Sequence, residues 1–187
     1  MLKQLIYGIL FSLLLLTGIN PLHAEETRKD TPTKAKELSE AEQRKFDYFF
    51  FEGLNLKTAG KFDAAFDAFN HCMAIDSTAS PVLYELSSFY VQMNRPEKAV
   101  EMLQRAVANS TNNFTYRMAL ATISRNLGMY GEAAEEYEKL VKAFPGKPEL
   151  NYYLAEALTQ EGETGKAIDA YNALESSIGM NEALSMQ

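Results

Sequence analysis

Ala65, Ala99, Ala133 and Ala167 stand 34 residues apart with no insertion between them, and three further columns keep the same register. Gly60, Asn94, Gly128 and Gly162 form a turn column. Phe69, Leu103, Tyr137 and Tyr171 form a bulky column, and Gly53, Ser87, Ala121 and Ala155 a small one. A unit of this length cannot bury its own apolar face. It must stack on copies of itself, and the stack then carries one continuous core.

These small and bulky columns, with Leu86, Leu120 and Leu154 and the inter-repeat turn Lys142-Ala143-Phe144-Pro145-Gly146-Lys147, resemble the tetratricopeptide repeat family. The resemblance runs from Phe46 to about Met180 and implies an all-α fold, a right-handed superhelical solenoid of antiparallel helix pairs. Repeats are expected at about 46–79, 80–113, 114–147 and 148–181. The first departs from the pattern, with Glu52 where the others have leucine and Cys72 where alanine is usual. Its outer face is therefore expected to be atypical, as terminal units are.

Ser39 and Glu42 make a capping box ahead of the apolar run at Phe46, so the first helix is predicted over Glu40–Thr58. Periodicity and turn residues place the others at 62–75, 81–93, 96–109, 114–127, 131–143, 148–161 and 165–176. Pro81, Pro96 and Pro148 stand where helices begin, a position at which the missing N–H costs nothing. Ala133 is expected to face Ala121 and Leu120. After the fourth pair, residues 180–187 read as a tail or as the start of a truncated fifth repeat.

Residues 1–24 have the grammar of a secretory signal: Lys3, the apolar run Leu5–Leu16, and Leu22-His23-Ala24 before a cut. Gly18, Asn20 and Pro21 interrupt the segment before it reaches the length of a bilayer span. Residues 25–38 are charged and nearly devoid of apolar side chains, which predicts a flexible linker before a repeat domain at 39–179. The expected location is the periplasm or envelope of a bacterium. Loss of residues 1–24 removes one base, Lys3, from 18 Lys and Arg, leaving 17 against 25 acids and a formal charge of −8. Its basic residues are scattered among acids, which argues against a nucleic-acid partner.

Catalytic chemistry has little to draw on. His71 and Cys72 are adjacent, so on a helix they point to different faces and cannot act as a base and nucleophile. Cys72 lies among Phe69, Met73 and Ile75 and reads as a small buried residue. No cluster of His or Cys suits a metal, the pairs Glu135-Glu136 and Asp63/Asp67 lack a calcium-loop glycine, and Gly128 and Gly131 lack a following Gly-Lys-Ser/Thr. No catalytic residue, metal or cofactor is expected. Asn109 and Asn113 fit the glycosylation pattern and are read as turn residues.

What the resemblance implies instead is a groove. The first helix of every pair would line it, contributing Phe50, Leu54 and Lys57, then Tyr84, Ser88, Val91 and Gln92, then Met118, Thr122, Arg125 and Asn126, and last Tyr152, Glu156 and Gln160. Phe50, Tyr84, Met118 and Tyr152 would form a ladder suited to gripping an extended peptide or a helix of a partner protein, with packing between adjacent helices the equal alternative for Phe50. The places of the chaperone-tail clamp found in some members hold Phe50, Leu54, Glu85, Thr115 and Ala119, which cannot grip carboxylates. The function expected is a non-catalytic protein-interaction scaffold in the cell envelope, associating with membrane-envelope complexes. Two alternatives stand beside it: a structural module that self-associates through its repeat ends, and an N-terminal docking segment of a longer envelope enzyme or sensor.

Overall fold

The computed structural model describes residues 37–185, all within a unit that spans Pro32–Gln187. The expected signal segment and residues 25–36 of the expected linker lie outside the described residues. Eight helices follow one another among those described: α1 (Glu40–Thr58), α2 (Phe62–Ile75), α3 (Ser80–Gln92), α4 (Pro96–Asn109), α5 (Phe114–Asn126), α6 (Tyr130–Ala143), α7 (Glu149–Glu161) and α8 (Thr164–Ser185). Each packs on its neighbours in sequence, which gives four hairpins, α1/α2, α3/α4, α5/α6 and α7/α8, stacked as a helical-repeat solenoid.

Local chemistry explains where the helices start and stop. The Ser39 Oγ accepts from the Glu42 N–H at 3.3 Å, while the Ser39 N–H donates to the Glu42 carboxylate at 3.0 Å. This reciprocal pair satisfies two amide donors that a helix start leaves open. Asn113 caps α5 by accepting from the Tyr116 N–H at 3.1 Å. Within every hairpin the chain reverses through one left-handed residue: Gly60 (φ 74°), Asn94 (φ 55°), Gly128 (φ 77°) and Gly162 (φ 91°). The turn column is thus a backbone requirement, met by glycine three times and once by asparagine, the side chain best able to tolerate that region.

Helix ends fall within a residue of those predicted at α3, α5, α6 and α7, and one end differs more. α8 continues to Ser185 instead of stopping at Ser176. The Ser176 and Ser177 hydroxyls donate back to the Asn172 and Ala173 carbonyls at 2.8 Å, so they decorate the helix without interrupting it, and no proline follows to break it.

The columns form the core. Ala65, Ala99, Ala133 and Ala121 are fully buried, and the large side chains sealed beside them include Phe69, Tyr137, Leu140 and Leu150. Ala121 and Ala133 meet in the same cluster as Tyr137, Leu154 and Ala157. In the first hairpin Gly53 is required by close approach, since a Cβ there would stand 2.8 Å from the Phe69 ring. Polar ties reinforce one hairpin junction: Ser80 Oγ donates to the Ala106 carbonyl at 3.1 Å, and Asn109 Nδ2 to the Thr78 carbonyl at 2.8 Å.

The outer face of the first helix departs from the repeat pattern, mixing exposed Tyr48 and Phe51 with polar Glu52 and Asn55. Where α3 packs Val82, Leu86 and Phe89 into the core, the equivalent places one period earlier on α1 hold Tyr48, Glu52 and Asn55, of which Tyr48 and Asn55 are exposed.

Candidate functional site

The helices α1, α3, α5 and α7 occupy the same place in successive hairpins, and their exposed stripes recur every 34 residues. On α5 the stripe is Phe114, Met118, Thr122 and Asn126, spaced by four residues and therefore on one face. Opposite it, α3 presents Tyr84, Ser87, Ser88 and Val91. Between the two helices lies a cavity of about 490 Å³, lined also by Lys57, Leu103 and Ile123. Its size is that of a pocket for a few side chains.

A second, more polar hollow of about 390 Å³ adjoins it through Asn126, lined also by Arg125, Tyr130, Glu156 and Gln160. Ion pairs brace neighbouring helices of the series on both sides. Lys57 Nζ stands 2.6 Å from Glu85 between α1 and α3, and Arg125 stands 2.8 Å from Glu156 between α5 and α7. Between α3 and α5 the bracing is aromatic, with Tyr84 and Tyr116 at 5.3 Å. Burial pushes the Tyr116 hydroxyl above the ordinary tyrosine range.

Beneath the groove Tyr137 is sealed, stacked on Tyr153 at 5.7 Å, its hydroxyl buried beside Thr122 without a well-directed hydrogen bond. Burial raises its ionisation above the ordinary range. Leaving such a hydroxyl unpaired costs about 1–3 kcal/mol, so the fold tolerates it for the volume the ring fills.

The structure distributes the sequence-derived groove residues unequally. Tyr84, Ser88, Met118, Thr122 and Asn126 converge on the larger cavity, and Arg125, Asn126 and Glu156 on the smaller. Phe50 and Leu54 are half-buried in the first core cluster instead, Phe50 stacking on Phe46 at 6.1 Å and edging the Phe69 ring. Gly53 admits Phe69 closely, and Phe46, Phe49 and Phe50 of α1 pack on the same cluster, whereas Tyr48 and Phe51 stay exposed. Gln92 is exposed outside both hollows, as is Tyr152, whose ring leans on Tyr153. Phe114 and Ile123 line the cavity without having been anticipated. The spacing of four from Met118 carries the signal for Phe114, but its place at the helix start suggests a boundary residue first.

His71 is exposed and stacked on Phe49 at 4.6 Å, whereas Cys72 is fully buried with its thiol toward the Phe46 carbonyl at 3.6 Å. Burial pushes the thiol from 9.0 up to about 11, away from the thiolate that nucleophilic chemistry needs. Among the described residues no group of three His, Cys, Asp or Glu could hold a metal, and no helix is long and apolar enough to cross a membrane.

Sequence profiles described as tetratricopeptide repeat match residues 56–123 and 118–181. The chain belongs to the tetratricopeptide repeat family. Solved structures of MamA share the fold: one is 20% identical, with a TM-score of 0.62 over 73% of this chain and 75% of that one. A second is also 20% identical, with a TM-score of 0.64 over 76% and 84%. At this identity the likeness is one of fold. No curated protein matches the sequence significantly.

Proposed function

We propose that this tetratricopeptide repeat protein is an exported, non-catalytic scaffold that holds a segment of a partner protein between α3 and α5. One observation carries the reading: Tyr84 and Val91 from one repeat and Phe114 and Met118 from the next converge on a single cavity. Those side chains offer apolar area, and Ser88, Thr122 and Asn126 offer hydrogen bonds to a partner backbone. The cavity is too small for a whole helix, so an extended segment inserting a few apolar side chains is the occupant that suits it. The interhelical ion pairs hold the walls in place before binding, which reduces the ordering cost of capture. Export rests on Lys3 and the run Leu5–Leu16.

A photo-crosslinking residue at Met118 should join one partner polypeptide in the native host, and the same residue at the exposed Glu101 on α4 should not. Tyr84→Ala combined with Met118→Ala should abolish the adduct while leaving helicity intact. Equal labelling from both positions, or adducts that survive the double substitution, would refute the groove. Sequencing the N-terminus of the protein from an envelope fraction should find a chain beginning near Glu25. A chain retaining Met1 in the soluble cytosolic fraction would refute export.

A further inference from the structure

Among the described residues, the Tyr137 hydroxyl is the buried side-chain polar atom left without a hydrogen-bond partner. Its ring is 0% exposed and stacked on Tyr153, so the hydroxyl cannot swing out to water. Thr122, Arg125 and Glu156 stand around it. Arg125 and Glu156 are engaged with each other at 2.8 Å, and the guanidinium also lies over the Tyr153 ring at 5.8 Å. Thr122 is different, because it is also a wall of the cavity between α3 and α5.

Several donors at that cavity are already in use. Ser87 and Ser88 donate to the Tyr84 and Glu85 carbonyls at 2.6 and 2.7 Å, and Lys57 is held by the Glu85 carboxylate at 2.6 Å. Thr58 and Thr159 likewise donate to the carbonyls four residues back in their own helices, at 2.9 and 2.7 Å. The Thr122 hydroxyl makes no such bond to a described residue, so its proton is free for a group in the cavity.

On the reading that an extended segment occupies this cavity, we infer that a main-chain carbonyl of the segment accepts from Thr122, and that Tyr137 donates in turn to the Thr122 oxygen. An extended chain presents a carbonyl at every residue. One lowered among Tyr84, Phe114 and Met118 loses its water and must find a donor. Thr122 has a single proton, and giving it to the carbonyl leaves the oxygen lone pairs to accept from Tyr137. Each bond polarises the next, which draws the Tyr137 hydroxyl into line. Binding thereby satisfies the segment's carbonyl together with a buried hydroxyl that the free chain leaves unpaired. Tyr137 never touches the segment. It is a positioning residue that sets the direction of the Thr122 proton, and because the contact reads main chain, the choice of sequence is left to the apolar walls.

The probe is a short peptide selected on the full chain from a displayed random library and kept only if Tyr84→Ala with Met118→Ala abolishes its binding. Thr122→Val and Tyr137→Phe should each weaken that peptide about fivefold, and the two together no more than either alone. Thr122→Ser keeps the hydroxyl and should bind as the wild type does. Free Tyr137→Phe should melt no lower than wild type, since the group it removes has no partner. Replacing the peptide's amides by esters one at a time weakens each carbonyl as an acceptor. At one position the wild type should lose affinity while Thr122→Val is indifferent to the change. Unaltered binding by Tyr137→Phe, additive losses, a lower melting temperature for free Tyr137→Phe, or an ester scan with no position that depends on Thr122 would each overturn the inference and leave the groove standing. A library that yields no peptide dependent on Tyr84 and Met118 would overturn the groove itself, and the inference with it.

Discussion

Single atoms set limits here that a substitution can expose. Gly53 lies mid-helix, where alanine would ordinarily stabilise by about 1 kcal/mol. Its missing Cβ, however, is the space that the Phe69 ring uses, at 2.8 Å, and Phe69 is held on its other sides by Phe50 and Phe89. Overpacking of this kind costs about 1–3 kcal/mol, so Gly53→Ala should lower stability in thermal melting, and adding Phe69→Leu should restore part of it. The next repeat already contains that smaller combination, with Ser87 and Leu103 in the same places.

Cys72 gives a pH signature at the same scale. Its folded thiol ionises near 11 against an ordinary 9.0, because burial disfavours the thiolate. Between those two values the unfolded chain has lost the proton and the folded chain keeps it. The stabilisation is thus complete below pH 9 and is lost as pH rises toward 11. Melting temperature should fall across that window, and Cys72→Ala should fall less steeply; parallel curves would remove Cys72 as the cause.

At the scale of the helix, boundaries follow from caps and turns that can be tested one at a time. Ser39→Ala removes an acceptor for the Glu42 N–H and should cost about 1 kcal/mol. Amide exchange should quicken in the first turn of α1 and stay unchanged in α7, since repeats contact only their neighbours. A uniform change along the chain would contradict that picture. The same locality explains why α8 overruns its predicted end: nothing in Ser176-Ser177-Ile178 breaks a helix, and a repeat pattern alone supplies no stop signal once the repeat is finished.

Across the whole molecule, the core is a chain of clusters, and Leu103 sits where the clusters of the second and third hairpins join, beside Val100, Val107 and Leu120. Leu103→Ala should cost about 2–5 kcal/mol. Hydrogen exchange should show the loss concentrated in α4 and α5, with α7 keeping its protection; equal loss in α7 would mean that the solenoid opens as one unit.

The 34-residue period, the turn residues, the small-against-bulky columns and the atypical outer face of α1 were all legible in the sequence. Each depends on the register of a residue within its own helix or hairpin, and periodicity reports register directly. The division of the groove was not legible. Tyr84 and Met118 share a cavity while Phe50 is drawn into the core and Tyr152 stands outside it. Those outcomes depend on how far apart neighbouring hairpins settle, and that spacing is set by contacts across many residues, such as Lys57 with Glu85 and Arg125 with Glu156. A sequence pattern fixes which face a side chain is on; only the packed tertiary structure decides what that face meets.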